Sequence, residues 1–144
     1  MRAPSADDME HLRLDNTLFE GDNSVYLFDG DRTALVDTGL ATPESRRELE
    51  AALATHGVGF ADVDDVYLTH YHADHAGLAG AVADEADATV HVHEADADLV
   101  RGDSDAWETV HDRQRASFQA WEMPAAEREP LLDRLRSTRT DLYS

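Results

Sequence analysis

Cysteine is absent from the 144 residues, and so are lysine and isoleucine. Without cysteine there is no disulfide, no thiolate zinc site and no cysteine nucleophile, so any metal must be held by His, Asp or Glu. Positive charge is scarce. Against 31 acidic residues stand 12 basic ones, every one of them Arg, for a formal charge of −19. Such a surface repels nucleic-acid phosphates and anionic membranes, which argues against both as general partners. No run approaches the ~20 apolar residues that span a bilayer, and Met1-Arg2-Ala3-Pro4 opens without an apolar signal core, so the chain reads as soluble and cytoplasmic. The acidity is spread along the whole chain and not gathered in a tail. It points to a salt-rich cytoplasm, where a screening length of ~3 Å at ~1 M salt suppresses self-repulsion.

What is present suits one ordinary domain. A chain of this length buries about two-thirds of its unfolded surface, and the hydrophobic content is 42%. Ser24 to Phe28 is rich in strand formers, Asp29-Gly30-Asp31 is a turn signal, and Thr33 to Val36 reads as the returning strand of a hairpin. Asp37-Thr38-Gly39 ends it. Thr42-Pro43-Glu44 then starts a helix with a capping hydroxyl, a Pro in the first turn and an early acid. Leu49, Ala52 and Leu53 form its apolar stripe, and Gly57 and Gly59 close it. A third strand is expected over Val63 to Thr69, a short helix over Ala76 to Ala83, a fourth strand over Ala88 to Val92 and another short helix over Glu94 to Val100. That order implies an α/β fold with a mainly parallel or mixed sheet and ligand groups at the C-terminal strand ends. From Asp105 onward, Trp107, Val110, His111, Gln114, Phe118 and Trp121 recur at helical spacing, predicting one amphipathic helix that stops at Pro124. A second helix is expected over Pro130 to Arg136, with a frayed tail from Ser137.

One run carries the chemistry: Leu68-Thr69-His70-Tyr71-His72-Ala73-Asp74-His75-Ala76-Gly77. Imidazole nitrogen and carboxylate oxygen are ligands that zinc and similar divalent metals accept. If the segment stays extended, His70, His72 and Asp74 point to one side, and His75 reaches in as the chain turns into its helix. That suits two adjacent metal sites. Two ions there share a water, lower its pKa and stabilise charge on an attacked oxygen.

Thr69-His70-Tyr71-His72-Ala73-Asp74-His75 resembles the His-x-His-x-Asp-His signature of the metallo-β-lactamase superfamily, and Val36-Asp37-Thr38-Gly39 resembles its upstream strand-end motif. The resemblance covers about residues 14 to 100. It implies the N-terminal half of a metallo-β-lactamase-like αββα sandwich over 1–103, with 104–144 a helical extension, either lid-like inserted helices or a truncated continuation. It further implies that His70 and His72 bind a first zinc, and Asp74 and His75 a second. Asp74 also positions the nucleophilic water or takes its proton, and Asp37 buttresses the ligands from behind. Ala73 stands where flavin-linked di-iron members carry Glu, which favours zinc. The implied activity is metal-dependent hydrolysis of an ester, thioester or lactone small-molecule substrate by an activated, metal-bound water.

Plainer readings stand beside these. Asp74 can serve as a helix cap near His75, and Asp37 as a turn residue. His91 and His93 read as solvated or packed strand residues, and His11, His56 and His111 have no ligand neighbours. The Trp107 to Trp121 stripe reads as helix packing, with a lid as the secondary reading. The family's later ligands, the first within a His-Thr-x-Gly-His type segment, have no counterpart after His93. Counting ligands therefore leaves two protein groups per ion where a catalytic zinc normally has three plus water. One zinc or fewer is expected per chain. Val25 and Leu27 face one side of their strand, Tyr26 and Phe28 the other, so both sheet faces expect cover. Three readings stay open: a shortened product of a zinc hydrolase, a half completed by a homodimer or separate C-terminal partner, and an inactive remnant that binds metal weakly.

Overall fold

Alternating apolar and polar side chains govern the first two strands. In β1 (Met9–Asp15), Leu12 and Leu14 are buried while His11 and Arg13 are exposed. In β2 (Asp22–Asp29), Val25 and Leu27 are fully buried, whereas Tyr26 and Phe28 are half-buried. This period of two belongs to a sheet with one well-covered face. The structure, a computed structural model, describes residues 9–15, 21–141 and 143. Met1 to Pro4, inspected above for a signal core, lie outside them.

β3 (Thr33–Val36) pairs antiparallel with β2, completing the expected hairpin. The Thr42 side chain accepts the Ser45 N–H at 3.1 Å and starts α1 (Pro43–Ala54), which buries Leu49 and Leu53. A 3-10 turn at Phe60–Asp62 leads into β4 (Asp65–Tyr67), parallel to β3. Then follow α2 (Ala73–Ala76), α3 (Ala79–Ala86), β5 (Thr89–His91), parallel to β4, α4 (Glu94–Arg101), α5 (Ser104–Ala120) and α6 (Ala125–Asp141). The fold is α/β, with one mixed sheet in the order β1-β2-β3-β4-β5.

Leu27, Leu35, Val66 and Val90 stand in register across four strands and line the covered face. Leu49 and Leu53 of α1 and Ala79 and Val82 of α3 close over it. Across the opposite face runs a second file, His11, Tyr26, Val36, Tyr67 and His91, also in register. His11 stacks on Tyr26 at 4.9 Å and Tyr67 on His91 at 4.5 Å. This face is open: Tyr67 is 45% and Met9 39% exposed. The Trp107 helix, one expected cover, packs instead on α4, α6, Tyr71 and Tyr143.

Several expected boundaries move. β1 was not anticipated, because its two leucines are diluted by Glu10, His11 and Arg13. The third strand spans only Asp65–Tyr67 and the fourth only Thr89–His91. The helix expected over Ala76 to Ala83 is two pieces, α2 and α3, interrupted at Gly77-Leu78. α5 stops at Ala120, four residues before Pro124, and Glu122 turns the chain with φ of 57°. Pro130 lies inside α6 and does not start it. The backbone of α6 stays helical to Asp141, so the tail does not fray at Ser137, and Tyr143 packs edge-on to Trp107 at 5.6 Å. Residues 142 and 144 lie outside the described ones. His93 is not a strand residue: it caps α4, its Nδ1 accepting the Ala95 N–H at 3.0 Å.

On the open face, Asp65 is buried and accepts from Arg32 Nε at 2.8 Å, with His91 Nε2 at 3.0 Å. The Arg32 hydrogen bond, then that of His91, holds the Asp65 carboxyl below its ordinary range. A depressed folded value means that the carboxylate stabilises the fold above its unfolded pKa of ~3.9 and loses this contribution as pH falls through the folded value. Asp65→Asn is therefore expected to cost roughly 1–2 kcal/mol at neutral pH and to flatten the acid limb of a stability–pH curve. Urea unfolding across pH checks this. An unchanged acid limb would remove Asp65 from the account.

Candidate metal centre

Three segments meet at the C-terminal ends of β3 and β4. The first is the turn after β3. The Asp37 N–H extends the parallel ladder to the Tyr67 carbonyl at 2.8 Å, while its own φ of 62° lies in the left-handed region and swings the chain away. Asp tolerates that conformation better than most side chains. The Thr38 N–H and hydroxyl both donate to the His75 carbonyl, at 2.8 and 2.9 Å, so the turn grips the second segment, α2, by its backbone. The Asn23 amide adds a hydrogen bond to the Asp74 carbonyl at 2.8 Å.

The third segment is the loop from Leu68 to His72. Because β4 ends at Tyr67, strand alternation does not place the ligand candidates, contrary to the expectation from an extended segment. His70 lies in the loop, His72 occupies the cap position of α2, and Asp74 and His75 sit within its single turn. The cap alternative for Asp74 therefore falls, since that position belongs to His72. Helical winding brings Asp74 and His75 to His70: one ligand atom from each lies within 4.8 Å of the others. His72 is exposed and outside this group, although its ring meets that of His70 edge-on at 4.7 Å.

Asp37 organises the trio from behind. It is 5% exposed. One of its oxygens accepts the Thr69 N–H at 2.9 Å, and the other accepts the Thr69 hydroxyl at 2.8 Å and faces His75 Nδ1 at 3.0 Å. Having given its proton to Asp37, the Thr69 hydroxyl can only accept from His70 Nδ1, 2.8 Å away. These partners assign hydrogen to Nδ1 of both rings, leaving both Nε2 atoms as lone-pair donors to a cation. Asp37 thus fixes His75 directly and His70 through one hydroxyl. Thr69 was not picked out from the sequence; a hydroxyl directly preceding the first His was the available signal.

Charge follows the same wiring. Burial pushes the Asp37 carboxyl up, but the hydrogen bonds from His75 and Thr69 outweigh it and hold it below its ordinary value. The Asp37 hydrogen bond raises His75 against the opposing effect of burial. His70 is lowered, by burial first and then by His75 and His72 beside it.

Ligand atoms sharing a tetrahedral zinc at ~2.1 Å stand ~3.4 Å apart. A spread of up to 4.8 Å needs only small side-chain closure, so the trio fits such an ion. A sequence model of the Metallo-beta-lactamase superfamily matches residues 18–141. The chain belongs to this superfamily. Among curated relatives of the superfamily member, "Probable metallo-hydrolase YqjP" of Bacillus subtilis is 39% identical over 87 residues, covering 60% of this chain and 27% of that protein. "Metallo-beta-lactamase domain-containing protein 1" of Xenopus laevis is 50% identical over 60 residues, 42% of this chain and 25% of that one. The crystal structure of a metallo-beta-lactamase family protein from Thermus thermophilus superposes with a TM-score of 0.75 at 26% identity, covering 95% of this chain and 43% of that one. The chain thus spans about a quarter of the length of the curated relatives it matches.

Beside the candidate metal trio this superfamily chain holds a cavity of about 390 Å³, lined by His72 and Asp74 together with Trp107, His111, Leu135 and Tyr143. No helix among the described residues is long and apolar enough to cross a membrane.

Proposed function

We propose that the chain forms the metal-binding half of a zinc-dependent hydrolase acting on an ester, thioester or lactone. The observation that carries this reading is the convergence of His70, Asp74 and His75 in front of one buried carboxylate, Asp37. Three protein ligands are the usual complement of a catalytic zinc, and a carboxylate behind a ligating His is the usual support. Zinc held there supplies Lewis acidity and lowers the pKa of water. The side chains do the rest. Asp37 and Thr69 hold both rings with Nε2 outward, and Asp74, partly exposed and lining the adjacent cavity, would take the proton from water. His72, at the cap of α2, is the fourth ligand candidate and would help to hold the same ion or a second one. The same reading places the chain in a salt-rich cytoplasm, supported by the −19 charge and the absence of cysteine.

The open sheet face favours a second element in this reading. A file of two Tyr, two His and Val36 in register across five strands is an association surface by composition, and the superfamily protein with 0.75 TM-score has more than half its length beyond this match. Further protein laid on that face, from a second copy or a C-terminal partner, completes the ligand set and confers turnover.

Zinc titration of the metal-free chain in high salt, with metal analysis after dialysis, tests the site. The expected result is one zinc or fewer per chain, with binding lost in His75→Ala and negligible esterase activity for the chain alone. Two tightly held zinc ions per chain, or undiminished binding in His75→Ala, would overturn the assignment.

A further inference from the structure

His111 projects from the middle of α5 and is 3% exposed. Its Nδ1 lies 3.0 Å from Gln114 Oε1, one helical turn on. A carbonyl oxygen only accepts, so Nδ1 carries the hydrogen and Nε2, at the far tip of the ring, presents a lone pair. That Nε2 is buried and has no hydrogen-bond partner among the described residues. Buried polar atoms are nearly always satisfied, so this exception, on a residue that lines a cavity, asks for a partner from solvent or ligand. The ring lines the cavity beside the metal trio. Two donors of the aromatic lining residues are already committed: the Trp107 indole N–H donates to the Leu99 carbonyl at 2.9 Å, and the Tyr143 hydroxyl donates to the Tyr71 carbonyl. Among the described residues no Arg lines the cavity, while Asp74 does. In the metal-free chain an anionic ligand would therefore meet a carboxylate with no Arg among the described residues to offset it.

We propose that His111, oriented by Gln114, is the specificity-determining residue of this cavity, its Nε2 accepting a hydrogen bond from a hydroxyl or amide N–H of an uncharged substrate whose apolar part lies against Trp107 and Tyr143. The proposal rests on the hydrolase reading for the word substrate, but the recognition itself needs no metal. Gln114 sets the tautomer, as Asp37 does for His75. Trp107 and Tyr143 take the apolar part of the ligand, and the ester-type group extends toward His72 and Asp74, which line the same cavity.

The test uses the full chain, freed of metal with a chelator, and three probes: phenylpropanol, its methyl ether and phenylpropanoate. Binding is followed through the imidazole and indole ¹H–¹⁵N signals of His111 and Trp107. The alcohol is expected to bind about tenfold more tightly than the ether, one hydrogen bond apart, with the carboxylate weakest. His111→Phe removes the unpartnered atom, so it should melt no lower than wild type yet bind alcohol and ether alike. His111→Gln restores an acceptor and part of the preference. Equal affinity of alcohol and ether for wild type, a preference that survives His111→Phe, or no binding that moves the Trp107 signal would each overturn the proposal. Zinc titration of the same variants separates the two readings. Undiminished zinc affinity in His111→Phe with lost preference supports a recognition role, whereas lost zinc affinity makes His111 a ligand and sinks it. Should zinc bind nowhere, the hydrolase reading falls while the metal-free preference still stands.

Discussion

Asp37→Asn is expected to weaken zinc binding about 10–100-fold while the chain stays folded. Asn keeps one oxygen for the Thr69 N–H and tolerates the left-handed φ of 62°. Its other terminus, however, becomes an N–H donor facing His75 Nδ1, which now stands 3.0 Å from a carboxylate oxygen. Donor facing donor is relieved if His75 moves its hydrogen to Nε2, the atom that must be bare to bind a cation. The Thr69 hydroxyl loses its shorter acceptor and keeps only the remaining oxygen at 3.1 Å, which loosens His70 by the same route. Asp37→Ala should do more damage to the fold. Ala at positive φ costs roughly 1–2 kcal/mol, and the Thr69 N–H loses its partner at about 1–3 kcal/mol. A total loss of about 2–5 kcal/mol is a large share of a typical domain's stability. Competition titration with a chromogenic chelator reads the first effect and urea unfolding the second. Wild-type zinc affinity in Asp37→Asn would mean that backbone contacts alone, such as Thr38 to the His75 carbonyl, orient the ligand.

Much of this centre was legible in the sequence because it is local. His70, His72, Asp74 and His75 lie within six residues, so their proximity survives errors in the element boundaries around them. Asp37 was legible only through the resemblance of Val36-Asp37-Thr38-Gly39, as its contacts to Thr69 and His75 cross more than thirty residues of chain. The grouping of ligands was not legible. It depends on whether the run is strand or helix, and the chain leaves β4 at Tyr67 to wind once at Ala73–Ala76. Thr69 and His111 were missed for a related reason. Their chemistry lies in which hydrogen-bond partner is already taken, a property of tertiary packing. His111 did appear in the apolar stripe of α5, and a titratable residue on a buried face was the signal available. In the fold, the hairpin and the Thr42 cap of α1 carried strong local signatures, whereas β1 offered two leucines among charged residues.

Raising KCl from ~0.15 M to ~1 M is expected to stabilise the chain, against the usual behaviour of surface ion pairs. Seven Arg side chains among the described residues are already ion-paired, including Arg46 with Glu50 at 2.7 Å and Arg136 with Glu108 at 3.0 Å. Even complete pairing of every Arg leaves the excess of −19. Compaction crowds that excess onto a small surface, and shortening the screening length from ~8 Å to ~3 Å relieves about 5 kcal/mol of the folded state's extra repulsion when both states are treated as charged spheres. Exposed pairs lose at most about 0.5 kcal/mol each on screening. Seven such pairs lose at most about 3.5 kcal/mol together, so the balance favours the folded chain by about 1.5 kcal/mol or more, a rise in Tm of about 5 °C for a domain of this size. Thermal melts in KCl, with sucrose as an uncharged control, distinguish screening from general exclusion effects. A Tm that is flat or falling in KCl would show that specific pairs such as Arg32–Asp65 outweigh the net charge, and would leave the acidic composition without a salt-adaptive role. Zinc binding gives an independent reading of the same field. The attraction of a divalent cation to so acidic a chain should weaken with salt, even as the fold that presents His70, Asp74 and His75 becomes more stable.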